Sequence, residues 1–382
     1  MVAAREYVVL GIMSGSSLDG LDLAVCRLLI DKDAETSISE WSILAAETDP
    51  YSLHWRARLE SAPDLSGREL WRLHTDFGRW IGHRAAVFLS AHPTLSPTLV
   101  GSHGHTIFHD PDAHSTTQIG DGAALAAVVK LKTVTEFRGA DVAAGGQGAP
   151  IAPVADKYLF PQYSTFLNLG GIANLSVRTS ADNYLAGDIS GCCQVIDRLA
   201  GLLGFPYDDG GRLAAAGQFN SDLADRLEAL PFHHMPYPKS LDNAWVREQL
   251  WPVLRNDSIA AGDRLRTFTV WLARKIVTDL LEVGAVAPTK YGTSWRVASE
   301  QVRSKVLVTG GGANNDFLIN QLNGVVPELE FIVPEKQLAN FKEAAMIALC
   351  AVLRVEGLPN ALSSATGASR DTVNGAVYLP GL

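Results

Sequence analysis

The chain has 382 residues, 47% of them hydrophobic, with 34 glycines and a formal net charge of −9. That length supports a sizeable core and predicts two domains rather than one. The acidic balance, with no basic run or stripe, argues against a nucleic-acid partner, and the lack of 18 consecutive apolar residues argues against a membrane span.

Taken in chain order, apolar runs at 7–10, 23–29, 98–101, 132–135, 164–169, 174–177 and 305–308 predict strands. Helical spacing of apolar residues recurs at 68–91, 193–203, 221–230, 263–283 and 342–354. Strands mixed with helices indicate an α/β architecture. Almost every strand ends in glycine: Gly11 and Gly15, Gly101 and Gly104, Gly170 and Gly171, then Gly310, Gly311 and Gly312. Open α/β sheets bind ligands beyond the carboxyl ends of their strands, so these turns predict one composite cleft. The plainer reading is that such folds simply need tight turns. Residues 359–378 read as a loop. The first residues lack a signal-peptide core, and Cys26, Cys192, Cys193 and Cys350 show no C-x-x-C spacing, so reduced thiols in a cytoplasmic protein are expected.

The segment Gly-Ile-Met-Ser-Gly-Ser-Ser-Leu-Asp-Gly-Leu-Asp (11–22) follows the first apolar run. A strand–turn–strand there offers backbone N–H groups, serine hydroxyls and the carboxylates of Asp19 and Asp22, which suits a phosphate and its magnesium; a plain surface hairpin is the alternative. Neither G-x-x-x-x-G-K-[ST] nor G-x-G-x-x-G occurs, which argues against a Walker-type or Rossmann site.

Three segments in order, 11–22, Phe-Leu-Asn-Leu-Gly-Gly-Ile-Ala-Asn-Leu-Ser (166–176) and Val-Leu-Val-Thr-Gly-Gly-Gly-Ala-Asn-Asn (306–315), resemble the sugar kinase/Hsp70/actin superfamily. That resemblance implies two actin-like (ribonuclease H-like) α/β domains with a nucleotide cleft between them, the first formed by 1–130 with about 350–382 and the second by 131–349. Further segments sharpen it: Gly-Ser-His-Gly-His-Thr-Ile (101–107), Gln-Ile-Gly-Asp-Gly (118–122), Phe-Arg-Gly-Ala-Asp-Val-Ala-Ala-Gly-Gly-Gln-Gly-Ala-Pro (137–150) and Lys-Glu-Ala-Ala (342–345). Together they resemble the anhydro-N-acetylmuramic acid kinase family from about residue 8 to about 350.

The resemblance implies an ATP- and Mg²⁺-dependent enzyme of cell-wall recycling. Water opens a 1,6-anhydro sugar and O6 is phosphorylated, giving N-acetylmuramic acid 6-phosphate. It implies a homodimer. Asp188 takes the catalytic position; standing ahead of the helix at 193–203, it is expected to be held ionised by helix N-terminal N–H groups, or else to cap that helix. Nucleotide binding falls to Gly11, Ser14, Gly15, Ser16, Ser17, Asp19, Gly20, Asp22, Asn168, Gly170, Gly171, Gly310, Gly311, Gly312 and Asn314, with Asp19 and Asp22 placing Mg²⁺ through water. Substrate binding falls to His103, His105, Arg138, Asp141 and Glu343. An arginine forks onto a carboxylate or hydroxyl pair, Asp141 either meets phosphate-bound magnesium or sets its turn, and Glu343 is expected to open its helix. Gly145, Gly146 and Gly148 are expected to let backbone approach a ligand. Lys239, within Pro-Tyr-Pro-Lys-Ser (236–240), is shared with the family and has no role assignable from sequence.

After Asp188 the chain reads Ile-Ser-Gly-Cys-Cys-Gln (189–194), where the family has Thr-Gly-Pro-Gly-Asn. This departure leaves a kinase for a related anhydro sugar, such as levoglucosan, as one alternative. A second is an actin-like ATPase binding module. A third is a metal-dependent hydrolase built on His103 and His105 with His109, Asp110, Asp112 and His114.

Overall fold

The structure, a computed structural model, describes residues 4–15, 18–31, 38–180, 183–255, 258–285 and 304–381. The chain divides into two compact units, Met1–Pro161 with Phe341–Leu382, and Gln162–Asn340. The boundary expected near residue 130 therefore lies about thirty residues later, and the one expected near 350 lies earlier. The strand at 132–135 belongs to the first sheet, which carries the chain past the expected edge.

The first unit contains β1 (Arg5–Ser14), β2 (Gly20–Ile30), β3 (Ile38–Pro50), β4 (Leu99–Ser102), β5 (His105–Asp110), β6 (Ser115–Ile119) and β7 (Lys132–Thr135). The second contains β8 (Thr165–Leu169), β9 (Ile172–Arg178), β10 (Tyr184–Gly191), β11 (Ser304–Thr309) and β12 (Leu329–Ile332); β13 (Ala376–Tyr378) returns to the first. In the first unit β1, β2 and β3 form an antiparallel meander, β1 pairs parallel with β4, and β4 with β7. The sheet order is β13-β7-β4-β1-β2-β3, with β5 and β6 a separate hairpin. The second sheet runs β10-β9-β8-β11-β12: β8, β9 and β10 are the meander, and β11 is parallel to both β8 and β12. Counted within each sheet, the first runs 3-2-1-4-5-6 and the second 3-2-1-4-5. This repeated meander with a parallel extension is the ribonuclease H-like, actin-like fold.

Apolar runs make the central strands. In β2, Leu21, Leu23, Ala24, Val25, Cys26 and Leu28 are all buried, the near-continuous pattern of a strand covered on both faces. The helix Gly67–Ala91 starts with a Ser66/Glu69 capping box and buries Leu73, Phe77, Ile81, Ala85 and Phe88 at three- and four-residue spacing. In the second unit the helix Ala261–Glu282 buries Leu265, Phe268, Leu272, Ile276 and Leu280 in the same way. The helix expected at 342–354 runs from Lys336 to Glu356. Glu343 therefore lies in a helix interior and does not open it.

Candidate functional site

Each unit carries its own set of polar groups at its strand ends. In the first, the β1–β2 hairpin is in register from Arg5 opposite Ile30 to Ser14 opposite Leu21, and its turn follows Ser14. Ser16 and Ser17 lie outside the described residues. Ser14 is buried. Its Oγ accepts from the Tyr51 hydroxyl at 2.7 Å and lies 3.0 Å from His105 Nδ1. The serine oxygen links the tyrosine hydroxyl to the imidazole. Ser14 thus ties the turn to the β5 strand, and its hydroxyl points inward. Tyr51, which the sequence did not single out, also donates its N–H to the Asp19 carbonyl.

Asp19 is exposed, whereas Asp22 is half-buried and accepts from Thr48 Oγ1 at 2.6 Å. Burial pushes the Asp22 carboxyl up to about 6; the Thr48 bond opposes this, and the negative charges of Glu343 and Asp19 reinforce it. Three carboxylates therefore share one electrostatic neighbourhood.

The close packing of the helix Lys336–Glu356 brings Glu343 there. A Cβ on Gly11 would overlap the Ala344 carbonyl oxygen, and one on Gly101, its partner across β1 and β4, would stand 2.6 Å from the Ile347 carbonyl oxygen. Only paired glycines let the helix backbone sit directly on the strands. Gly11 thus has a packing role that its sequence position did not reveal. Gly20 packs closely too, since its Cβ would stand 2.6 Å from the Asp49 carbonyl oxygen on β3.

Arg138 follows β7. Its Nε donates to His103 Nε2 at 2.9 Å and its Nη1 to the Gly148 carbonyl at 2.7 Å. His103 Nδ1 in turn donates to the Gly104 carbonyl, so the ring is neutral; burial, then the arginine charge, push its pKa down to about 3. Burial lowers Arg138 to about 10 against the favourable charge of Glu343. Its Nη2 has no protein acceptor among the described residues, which leaves one arm of the fork for a ligand. Asp141 differs. It is fully buried; its carboxylate accepts from Thr366 Oγ1 and the Gly148 N–H, both at 2.8 Å, and its own N–H donates to Asn374. It sets its loop, which corrects the ligand-contact reading. Gly146 and Gly148 pack onto Asp141 and Val142, whereas Gly145 faces open space. Among the described residues no three His, Cys, Asp or Glu side chains converge on a metal position. His103 and His105 instead serve the two polar chains just described.

In the second unit Asp188 lies within β10, where the register shifts between Asp188 and Ser190. Its N–H donates to the Lys239 carbonyl at 2.8 Å. Its Oδ2 accepts from the Leu241 N–H at 2.9 Å and Ser240 Oγ at 3.1 Å. Oδ1 has no protein donor among the described residues. Burial raises the carboxyl pKa, and the two bonds oppose that rise. The expected helix N-terminal donors are engaged elsewhere: the N–H groups of Cys192 and Cys193 bond the Gly171 and Gly170 carbonyls at 2.8 and 3.0 Å. The residue at the head of the helix Cys193–Gly201 is Cys192, so Asp188 neither caps that helix nor is held by it. Its holders come from the strap at 237–241, which the sequence marked only through Lys239.

The last glycine loop splits by function. Gly310, at φ +86°, would place a Cβ 2.7 Å from Leu169 backbone atoms, and Gly312 would place one 2.7 Å from Leu169 Cβ. Both press the loop onto β8. A Cβ on Gly311 meets nothing within 4 Å. Asn314 is exposed and donates to the Gly311 carbonyl and to Asn340, both at 3.1 Å. Asn168 lies at the end of β8, with Thr309 Oγ1 at 3.5 Å. Gly170 and Gly171 form the β8–β9 turn, and Cβ atoms there would find only ordinary contacts.

The family model for anhydro-N-acetylmuramic acid kinase matches residues 7–380. The chain is 34% identical to the anhydro-N-acetylmuramic acid kinase of Azorhizobium caulinodans and 32% identical to that of Synechococcus elongatus; each comparison covers 97% of this chain and 99% of the relative. A solved structure, the activator of the 2-hydroxyisocaproyl-CoA dehydratase from Clostridium difficile with bound ADPNP, is similar at a TM-score of 0.40 and 12% identity, covering 92% of this chain and 96% of that one.

Proposed function

The chain belongs to the anhydro-N-acetylmuramic acid kinase family, and from that premise we propose that it opens 1,6-anhydro-N-acetylmuramic acid with water and phosphorylates O6 from ATP. The observation that carries this reading is the state of Asp188. One oxygen is held by Ser240 and Leu241, the other has no protein donor among the described residues, and the group is half-buried. A module that only binds nucleotide needs no base of this kind.

In the proposed reaction Asp188 takes a proton from water as the water oxygen bonds to C1. The C1–O6 bond breaks, and O6 keeps the electron pair and bonds the γ-phosphorus as ADP leaves. The products are N-acetylmuramic acid 6-phosphate and ADP. Arg138 offers Nη2 to the sugar's carboxylate or to paired hydroxyls. Gly15 and the backbone of the β1–β2 turn serve the phosphates, and Gly311 and Asn314 the nucleoside. Burial first, then the Glu343 and Asp19 charges, hold the Asp22 carboxyl up to about 6, and a divalent cation would offset that gathering of negative charge. Mg²⁺ would be held through water by Asp19 and Asp22, and when bound it supplies charge neutralisation at the phosphates.

Among the described residues no helix is long and apolar enough to cross a membrane. We place the reaction in the cytoplasm and take the enzyme as a homodimer on the family resemblance; light scattering at micromolar concentration tests the latter.

The function is tested by ADP release from ATP and Mg²⁺ with the anhydro sugar, with levoglucosan, and with no sugar. The reading expects release only with anhydro-N-acetylmuramic acid. Sugar-independent release would make the protein an ATPase module, and preference for levoglucosan would change its substrate.

A further inference from the structure

Beneath Asp188 lies a group of buried charges that the proposed chemistry does not use. Asp279, near the end of the helix Ala261–Glu282, has no exposed surface. Its Oδ2 accepts from the Tyr237 hydroxyl at 2.8 Å and lies 3.5 Å from Lys239 Nζ, while its Oδ1 lies 2.8 Å from Lys275 Nζ. Lys275 also donates to the His233 carbonyl at 2.6 Å. Lys239 is only 5% exposed, and its ammonium lies over the Tyr237 and Phe232 rings. Burying an ammonium on a short strap is costly, and an apolar side chain would fill the same space at less cost.

The strap is where these charges meet the candidate base. Tyr237 and Lys239 send their side chains to Asp279. The Lys239 carbonyl, Ser240 Oγ and the Leu241 N–H all bond Asp188. Five residues therefore bridge two carboxylates that do not touch each other. Gly187, beside the base on β10, makes the crossing possible, since a Cβ there would stand 2.7 Å from the Lys239 carbonyl oxygen and 2.8 Å from the Tyr237 ring. The strap rests on bare backbone on one side and is pinned by a buried ion pair on the other.

We propose that Lys239 and Asp279 are positioning residues: they lock the strap so that Ser240 and Leu241 hold Oδ2 of Asp188 and turn Oδ1 toward the reacting water. This rests on the reading of Asp188 as the base. It assigns Lys239 a role without contact to substrate. Loosening the strap misplaces the carboxylate and weakens the bonds that favour its ionised form. Turnover should fall while ligand affinities hold, and the acid limb of the rate profile should move to higher pH.

The test is Lys239→Met, which keeps the stem and leaves Asp279 its Tyr237 and Lys275 partners. The expected result is a kcat about 10- to 100-fold lower, a KM for the sugar and an ATP affinity within about twofold of wild type, and an acid limb raised by about half a pH unit or more. A folded Lys239→Met with wild-type kcat and pH profile overturns the proposal, as does a lower melting temperature with unchanged kcat, because that marks a purely structural pair. If Lys239→Met does not fold, Tyr237→Phe, which removes the strap's other side-chain bond to Asp279, decides: a lower kcat with the same upward pH shift supports it, and wild-type behaviour overturns it. Asp188→Asn separates the two readings. Wild-type turnover in that variant removes the base itself, and the proposal falls with it; loss of turnover there, with Lys239→Met unaffected, removes only the positioning role.

Discussion

On the first sheet Gly11 and Gly101 stand side by side on β1 and β4, and the helix Lys336–Glu356 lies directly on their backbone. At the matching strand pair of the second sheet, β8 and β11, the neighbours are Leu167 and Val308, both fully buried in a core with Leu272 and Ile276 of the helix Ala261–Glu282. One strand order thus supports two ways of placing a carboxylate. The first unit brings in Glu343 by backbone-to-backbone contact. The second keeps a full layer of side chains and fixes Asp188 from a separate strap. Backbone packing tolerates no added atom, whereas a strap held by polar contacts is open to graded loosening.

The largest effect should separate chemistry from scaffold. Asp188→Asn keeps the shape and the bonds at one oxygen but cannot take a proton, so kcat should fall about 10²- to 10⁴-fold with ATP affinity little changed. Near wild-type ADP release from that variant would move the base elsewhere.

Next comes the scaffold itself. Gly11→Ala forces the helix off the first sheet and should cost on the order of 3 kcal/mol, read as a lower denaturation midpoint. Gly311→Ala, in open space, should change stability by under about 0.5 kcal/mol yet weaken ATP binding several-fold. Equal stability losses at the two glycines would erase the contrast between packing and ligand-facing positions.

Acid should also distinguish the units. Burial pushes His103 and His105 in the first down to about 3 and about 4, below the 6.5 that unfolding restores. The unfolded chain binds the extra protons, so these groups stabilise the fold above about pH 6.5 and that stability is lost as pH falls. Asp22, raised to about 6, works in the opposite sense below that pH, and His233, lowered by burial to about 4, gives the second unit a single histidine of this kind. His103→Gln keeps an acceptor for Arg138 and should flatten the acid loss between pH 6.5 and 4.5 by on the order of 2 kcal/mol. An unchanged stability profile would mean that the imidazole is not held neutral.

Arg138 should show a binding effect without a large loss of turnover. Arg138→Lys keeps a charge but loses the fork, and should raise the sugar KM about tenfold with kcat less affected. A lower melting temperature with unchanged KM would make it another scaffold residue.

How much of this the sequence could show depended on distance along the chain. The runs that became β1, β2, β4, β7, β8, β9 and β11 were legible because buried strands are nearly uniformly apolar. No such run marks β3, with its mixed exposure, β10, whose run is broken by Gly187 and Asp188, or the short β5, β6, β12 and β13, the last inside the stretch expected to be a loop. Glycine was the ambiguous letter. Gly11 and Gly311 look alike in sequence, and only a helix more than three hundred residues away makes the first a packing position. Asp188 was visible as a candidate, but its holders were not, since they come from residues about fifty positions downstream. Lys239 carried the one available signal, a lysine inside an apolar and proline-rich stretch, and the buried Asp279 gives it a charged partner.

The central claim is that one reaction both hydrolyses the anhydro bridge and phosphorylates the oxygen it releases. Turnover of anhydro-N-acetylmuramic acid with ATP and Mg²⁺ in ¹⁸O-labelled water, read promptly by mass spectrometry with fragmentation of the product, tests this directly. The account predicts N-acetylmuramic acid 6-phosphate with one ¹⁸O at C1 and none in the C6–O–P linkage. A phosphorylated sugar with its anhydro ring intact, or label in the linkage oxygen, would contradict it.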